Sequence, residues 1–461
     1  MAIITQTLKK ETIRLLKENF DSSANKYYLG IGRSNTWDNA TDTPPVTENT
    51  AVEERLYRNS LQSVKLISDA SFIIPRNNWS ANTHYSAYND KQVGYPGNPY
   101  YVMNDENQVY ICIQRAKSAT GGEIASSIQP TGHLDGTTFR TSDDYAWKFL
   151  YSISAGDANK YIAANFLPVK LQGATTISSP AADIEQLAVQ NAAVDGQIVG
   201  YEVVSGGSGY TSTPTLTIHG DGSGAVAIAT RSGGEIVKVE VHDSAGSVSG
   251  VLKPAFPLGL GYTNASISQS AAGQTTDAVI RPIIGSKGGL GADPRNDLRS
   301  DGIMFSVKPS GDEVDGDFVI GNDFRQVGLI RNPLVSVGGS AFGDDTGNCL
   351  KKLVLVSKNG DFAVDETFSN TSGAKGIIDK ISTNGLELFY HQDDETGYKT
   401  FSTSENITGA TSSATGSTHG STPNVSAEVE TLTGDVLYID NRAAVTRSAD
   451  QTEDVKIVIQ I

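Results

Sequence analysis

The segment IVGYEVVSGGSGYTSTPTLTIHGDGSGAVAIAT (198–230) constrains the fold more than any other part of the chain. Apolar and polar residues alternate there in short runs set between Gly-rich turns. A period of two sends successive side chains to opposite faces, which is the pattern of short antiparallel strands. Composition agrees. Only 38% of the residues are hydrophobic and 19% charged, and 47 of 461 are glycine. Gly, Asn and Asp reach the positive φ angles that tight turns need. A helical bundle would instead be rich in Leu, Ala, Glu and Lys. The reading is a mainly β protein: a β-sandwich-like core with a few flanking α-helices and two inserted small β-domains. At roughly 100–200 residues per domain, the length suits two to four domains.

The first insert is expected over 184–280, where aromatic residues become scarce. It holds an internal echo: Gly-x-Gly-Tyr-Thr occurs at Gly207–Thr211 and again at Gly259–Thr263. The second is expected over 360–428. There Phe362, Glu366, Ala374 and Gly376 align with Phe401, Glu405, Ala414 and Gly416, allowing one extra residue. Its Ser/Thr/Gly-rich stretch 403–427 reads as a mobile loop. The core then comprises 1–183, 281–359 and 429–461. Within it, 5–20 and 51–68 carry apolar residues near helical spacing and are expected to be helices. Apolar runs at 26–34, 71–79, 108–113, 144–153, 317–334 and 352–358 read as strands, as do DVLYID and DVKIVIQI at the C-terminal end.

The formal net charge is −16. An acidic surface repels phosphate backbones and anionic lipid, so neither nucleic acid nor membrane is an expected partner. Cys112 and Cys349 are too few and too far apart for a disulfide framework. No long apolar stretch opens the sequence, so no signal peptide is expected, and no window approaches a membrane span.

Motifs for chemistry are weak. Gly30-Ile-Gly32-Arg33-Ser34-Asn35 lacks the third glycine of a dinucleotide fingerprint, and NTWDNATDTPP after it cannot open a helix. It reads as a turn ending a core strand. GGSGY (206–210) and GDGSGA (220–225) fit hairpin turns better than a nucleophile elbow. The six histidines show no metal-binding spacing. SGDEVDGD (310–317) is acidic but lacks the alternating ligand order of a calcium loop, so it reads as a hairpin loop. No catalytic residue, cofactor site or metal site is nominated.

Six runs are more specific. In chain order they are YLGIGRSNTWDN (28–39), ASFIIPRNNW (70–79), YVMNDENQVYICI (101–113), DDYAWKFLYSI (143–153), NDFRQVGLIRNPL (322–334) and the closing segment GDVLYIDNRAAVTRSADQTEDVKIVIQI (434–461). Together they resemble a baseplate wedge subunit of T-even-like contractile-tailed phages, the gene product eight type. The resemblance implies a mostly β protein without enzymatic activity. It implies a homodimer within each wedge that contacts other wedge proteins and takes part in the rearrangement triggering sheath contraction. The implied location is the tail baseplate of a virion, assembled in the host cytoplasm. The two inserts have no counterpart in that resemblance.

The motif residues also make physical sense by themselves. Arg33 and Trp37 follow a Gly turn, where an Arg–aromatic or Arg–carboxylate contact could pin the loop. Pro75 fixes the chain beside Arg76 and Trp79, and Trp147 lies in an apolar run. Phe324 would fill a core strand beside Arg325, and Asn332-Pro333 would turn the chain away. Tyr438 belongs to a strand, Asp440-Asn441-Arg442 lies between strands, and Asp450-Gln451 offers polar groups before the last strand. Intramolecular loop-fixing is the first reading of each; a subunit contact through an exposed Arg or Trp is the second. The rival function is a carbohydrate-binding or depolymerising receptor-binding tail component; a third option is that the inserts alone bind a host glycan or decorate the baseplate surface while the core does the assembly.

Overall fold

A computed structural model of the chain describes residues 5–37, 43–47, 49–240, 258–312 and 316–461. Strands take 39% of the chain and helices 11%, so the fold is mainly β with few helices. The chain forms two compact units. One is built on residues 71–304 with short stretches from both chain ends; the other on 14–70 and 305–458. These borders differ from the composition shifts near 184 and 280: each expected insert lies inside one unit.

In the first unit, strands Tyr101–Met103, Gln108–Gln114, Ala146–Ser152 and Thr138–Arg140 form an antiparallel sheet in that order. Val109, Ile111 and Ile113 enter one apolar cluster, while Tyr110 and Cys112 enter another on the opposite face. That explains why VYICI is continuously apolar: a strand buried on both faces loses the polar half of its alternation. Helix Ala181–Asn191 stands where the β insert was expected to begin. Beyond it, four antiparallel pairs follow: Ile198–Ser205 with Val279–Ile284, Leu216–Gly220 with Ala265–Gln269, Ser223–Ala225 with Leu258–Leu260, and Ile228–Ser232 with Glu235–Glu240. The Gly-x-Gly-Tyr echo is structural. Gly207 and Gly209 have φ of 65° and 78°, Gly259 and Gly261 of 66° and 75°, and Tyr210 and Tyr262 are both buried. The strands after the two copies pair with each other, with Ile218 opposite Ile267.

In the second unit, five antiparallel strands lie in the order Thr346–Asn348, Leu61–Leu66, Tyr27–Gly32, Asp323–Arg331, Asp435–Thr446. Every residue of Tyr27–Gly32 is buried. The helix expected over 51–68 is Thr50–Asn59 only, capped by the Asn49 side chain, and Leu61–Leu66 is a strand. Tyr57, Leu61 and Val64 suit a helical stripe, but pairing of Leu61–Leu66 on both its edges overrides that local preference.

Residues 351–418 of this unit build a closed antiparallel barrel. Its six strands are Glu387–His391, Lys375–Ile381, Thr367–Asn370, Asn406–Gly409, Thr415–Thr418 and Lys351–Asn359, and the last pairs back with the first. Closure leaves no open edge around the ring. The core holds Leu353, Phe368, Ile378, Leu388, Tyr390, Phe401 and Ile407. Stretch 403–427 is therefore not a mobile loop; it supplies two barrel strands and the Asn424–Val425 pairing. Its Ser and Thr side chains hold it in place through hydrogen bonds, so a composition typical of linkers is here internally satisfied. The second echo is a two-fold relation. Glu366 accepts from the main chain of Thr411 and Ser412 in the other copy, and Glu405 accepts from Asn370, Thr371 and Ser372 in return. Strand pairing shows the same exchange, with Phe368 opposite Gly409 and Asn370 opposite Ile407.

Candidate functional site

Three of the six motif runs become neighbours in the five-stranded sheet of the second unit, as the strands Tyr27–Gly32, Asp323–Arg331 and Asp435–Thr446. Polar residues just after the first strand and within the last converge; Asp440-Asn441-Arg442, expected between strands, lies inside the strand Asp435–Thr446, which continues past it paired with Asp323–Arg331. Arg33 takes a left-handed φ of 56°, turning its guanidinium over the Trp37 ring at 4.0 Å from the centroid. Trp37 is 9% exposed and donates its indole N–H to the Arg442 carbonyl at 2.9 Å. Arg442 Nε lies 2.9 Å from Asp440 Oδ2, and Asn441 accepts from the Gln326 amide at 2.9 Å and donates to the Pro44 carbonyl. A cation–π contact and an indole hydrogen bond thus bind the loop after the first strand to the last strand of the sheet. Asp38 and Asn39 of that motif lie outside the described residues.

Beneath this loop is a buried polar cluster. The Ser34 hydroxyl donates to Asp379 Oδ1 at 2.7 Å, and His391 Nδ1 lies 2.6 Å from Asp379 Oδ2. Ser34 and Asp379 are fully buried and His391 nearly so. Asn322 donates to the Asp379 carbonyl at 2.7 Å, and Arg325 donates to the Ser34 carbonyl and to Asp323 Oδ2. Burial pulls the His391 pKa down, but the charge and hydrogen bond of Asp379 outweigh it, and the net direction is up. Ser34 donates to the carboxylate and not to the imidazole, so the three groups do not form the nucleophile–base pair of a hydrolase. What they do is join two barrel strands to a sheet loop.

A third centre involves Arg447, which sequence reasoning missed. Its side chain is 1% exposed. It pairs with Glu453 through Nε at 3.0 Å, donates to the carbonyls of Phe318, Val319 and Gly311, and lies over the Phe318 ring at 4.4 Å. An arginine just beyond an apolar strand, six residues before a glutamate, was the available signal. Ser34, Asp379 and His391 carried no comparable signal, because they lie hundreds of residues apart or inside apolar runs.

The other nominated residues have separate places. Phe324 is buried opposite Val445, and Tyr438 is half-buried opposite Leu329. Asn332 takes a φ of 52° and exchanges hydrogen bonds with Lys26, while the Pro333 carbonyl accepts from Phe342 N, turning the chain. Asp450 is exposed, and the Gln451 carbonyl accepts from Gly311 N. In the first unit, Pro75 ends a strand opposite Phe166, and its carbonyl accepts from the Tyr101 hydroxyl. Arg76 donates to the Ala163 carbonyl, and Trp79 donates to Ser126 Oγ at 3.2 Å. Trp147 is fully buried among Tyr85 and Tyr145, so it is a core residue with no surface to offer a partner.

Among the described residues, no group of three or more His, Cys, Asp or Glu side chains is placed to hold a metal ion, and no helix is long and apolar enough to cross a membrane. Residues 313–315 of the acidic run at 310–317, and His242, lie outside the described residues. No model of a known protein family matches the sequence, and no curated protein matches it.

Proposed function

We propose that the chain is a structural subunit of a contractile phage tail baseplate wedge, working by assembly and conformational change rather than by catalysis. One observation carries this reading. The runs that resemble the wedge family supply strands to the sheets of both units, Tyr27–Gly32 and Asp323–Arg331 in the interior of one and Gln108–Gln114 and Ala146–Ser152 in the interior of the other, and their side chains fasten loops to sheets: Arg33 on Trp37, Trp37 on Arg442, Arg325 on Ser34. A part that transmits force between neighbours needs such rigid, cross-braced sheets. In this reading its partners are other wedge proteins and a second copy of itself, its place is the tail baseplate, and it acts without cofactor or nucleic acid.

Incubation of the purified chain with the wedge proteins of the same tail tests the proposal by sedimentation. Co-sedimentation at fixed stoichiometry supports it. A chain that stays alone while cleaving host polysaccharide would instead be a depolymerising tail component.

A further inference from the structure

The first unit holds an open cleft of about 250 Å³ between residues 86–117, the hairpins of the 198–284 segment, and Arg299. Its charge runs against the acidic chain. Arg115, Lys117, Lys238 and Arg299 line it, with Glu202 as the one lining carboxylate among the described residues. Glu202 is already matched by Arg281 at 2.6 Å, Arg115 by Glu123 at 2.5 Å, and Lys238 by Glu240 at 3.0 Å. Lys117 and Arg299 remain. Among the described residues, Lys117 Nζ donates only to the Val237 carbonyl, at 3.2 Å. Arg299 donates to the carbonyls of Gly94 and Asn89 and lies over the Tyr100 ring at 5.1 Å. Neither has a carboxylate within ion-pair distance among the described residues.

Glu123, across a β-bridge from Lys117, is already spent on Arg115, so the cleft keeps two half-buried cations with no carboxylate of their own in contact, which favours an anion. Burial, followed by the charge of Arg115, lowers the Lys117 pKa against the opposing charge of Glu123, and an anion in the cleft would relieve that cost. The rest of the lining says what else the ligand carries. Ile113, Val203 and Tyr201 give an apolar wall that a bare inorganic anion would leave uncovered. Tyr88 is 6% exposed, and its hydroxyl has no partner among the described residues; Gln92 stands exposed at the rim. The volume lies below the roughly 300 Å³ at which pockets for drug-sized ligands begin. A small ring with one apolar face, several hydroxyls and one carboxylate meets all of these conditions.

We propose that this cleft binds one carboxylated sugar residue, its carboxylate on Lys117 and Arg299 and its ring against Tyr201 and Ile113. Tyr201, Glu202 and Lys238 belong to the Gly-rich segment, so the insert that the sequence offers as a place of host-glycan contact completes the site. The proposal stands independently of the wedge reading.

Isothermal titration of the full chain tests it with four probes: D-glucuronate, a glucuronate oligomer, D-glucose and inorganic phosphate. Saturable binding of glucuronate is expected, with glucose at least about tenfold weaker and affinity falling with added salt. Oligomer binding tighter than the monomer identifies a surface polysaccharide as the source; equal affinity per residue identifies the free sugar acid. K117Q weakens glucuronate about tenfold and leaves the thermal melt unchanged, whereas K358Q, on the barrel, alters neither. R299Q gives the same loss where it folds. Absence of glucuronate binding, equal binding of glucose, phosphate binding as tightly as glucuronate, or full affinity in K117Q would each overturn the proposal.

Discussion

Gly30 and Gly328 face each other across two adjacent strands of the second unit, and the buried ring of Tyr57 lies over both. A Cβ on Gly328 would stand 2.5 Å from Tyr57 Cζ, and one on Gly30 would collide with the Tyr57 hydroxyl. The pair is therefore a socket, and Gly30 lies inside the strand rather than in the turn that its sequence neighbourhood suggests. G30A and G328A are each expected to cost about 1–3 kcal/mol by overpacking. Y57F removes a buried hydroxyl that has no hydrogen-bond partner among the described residues, so it is expected to be neutral or stabilising. Denaturant midpoints of the three variants check this; a clearly destabilised Y57F would show that the hydroxyl is satisfied in solution.

Arg447 and Glu453 make a second test. E453A leaves a buried guanidinium without its carboxylate and is expected to cost about 3–5 kcal/mol. The double variant R447M/E453L is not expected to restore stability. The carbonyls of Phe318, Val319 and Gly311 would lose their donor, and unsatisfied buried acceptors cost about 1–3 kcal/mol each. A double-mutant cycle read by equilibrium unfolding distinguishes this from a simple ion pair, whose loss the double variant would repair.

Stability should also fall as pH rises. Burial pushes the Asp297 carboxyl from its ordinary 3.8 up to about 7, against hydrogen bonds from Ser286 and Gly291. Folding thus favours the protonated acid. Its contribution is complete below about pH 4 and is lost as pH rises through about 7, at up to about 1.4 kcal/mol per pH unit. The raised His391 acts in the same direction: its contribution is complete below 6.5 and is lost as pH rises through its raised value. Melts of D297N between pH 4 and 8 are expected to show a flatter profile than the parent chain. An unchanged slope would mean that Asp297 is ionised throughout.

The paired glutamates of the barrel are expected to differ in weight. Glu366 is 4% exposed and accepts from the main-chain N–H groups of Ala363, Thr411 and Ser412, whereas Glu405 is less buried and accepts from side chains that water can replace. E366A should cost about 2–4 kcal/mol and E405A about 1 kcal/mol or less. Hydrogen exchange at Thr411 and Ser412 reads the loss directly, and equal costs would refute the asymmetry.

Much of the β architecture was legible because alternation and turn residues are local signals. The strand at Tyr27–Gly32 and the run VYICI could be read in place, and the echo around Glu366 and Glu405 aligned residues that turn out to exchange hydrogen bonds. The strand at Leu61–Leu66 was not legible, since its spacing fits a helix and only pairing on both edges decides. Nor was the ordering of 403–427, where hydroxyls that suit a linker are satisfied inside a barrel. Of the candidate site, Arg33 and Trp37 were readable from their proximity to a Gly turn. Ser34, Asp379 and His391 were not, because 345 residues separate the first pair and the fold alone brings them together.

The proposed role as a wedge scaffold is tested most directly by a density map of the intact tail. The chain is expected in every wedge around the hub, with both of its units packed against neighbouring wedge proteins. Density for the chain at a fibre tip alone, or its absence from the baseplate, would contradict it.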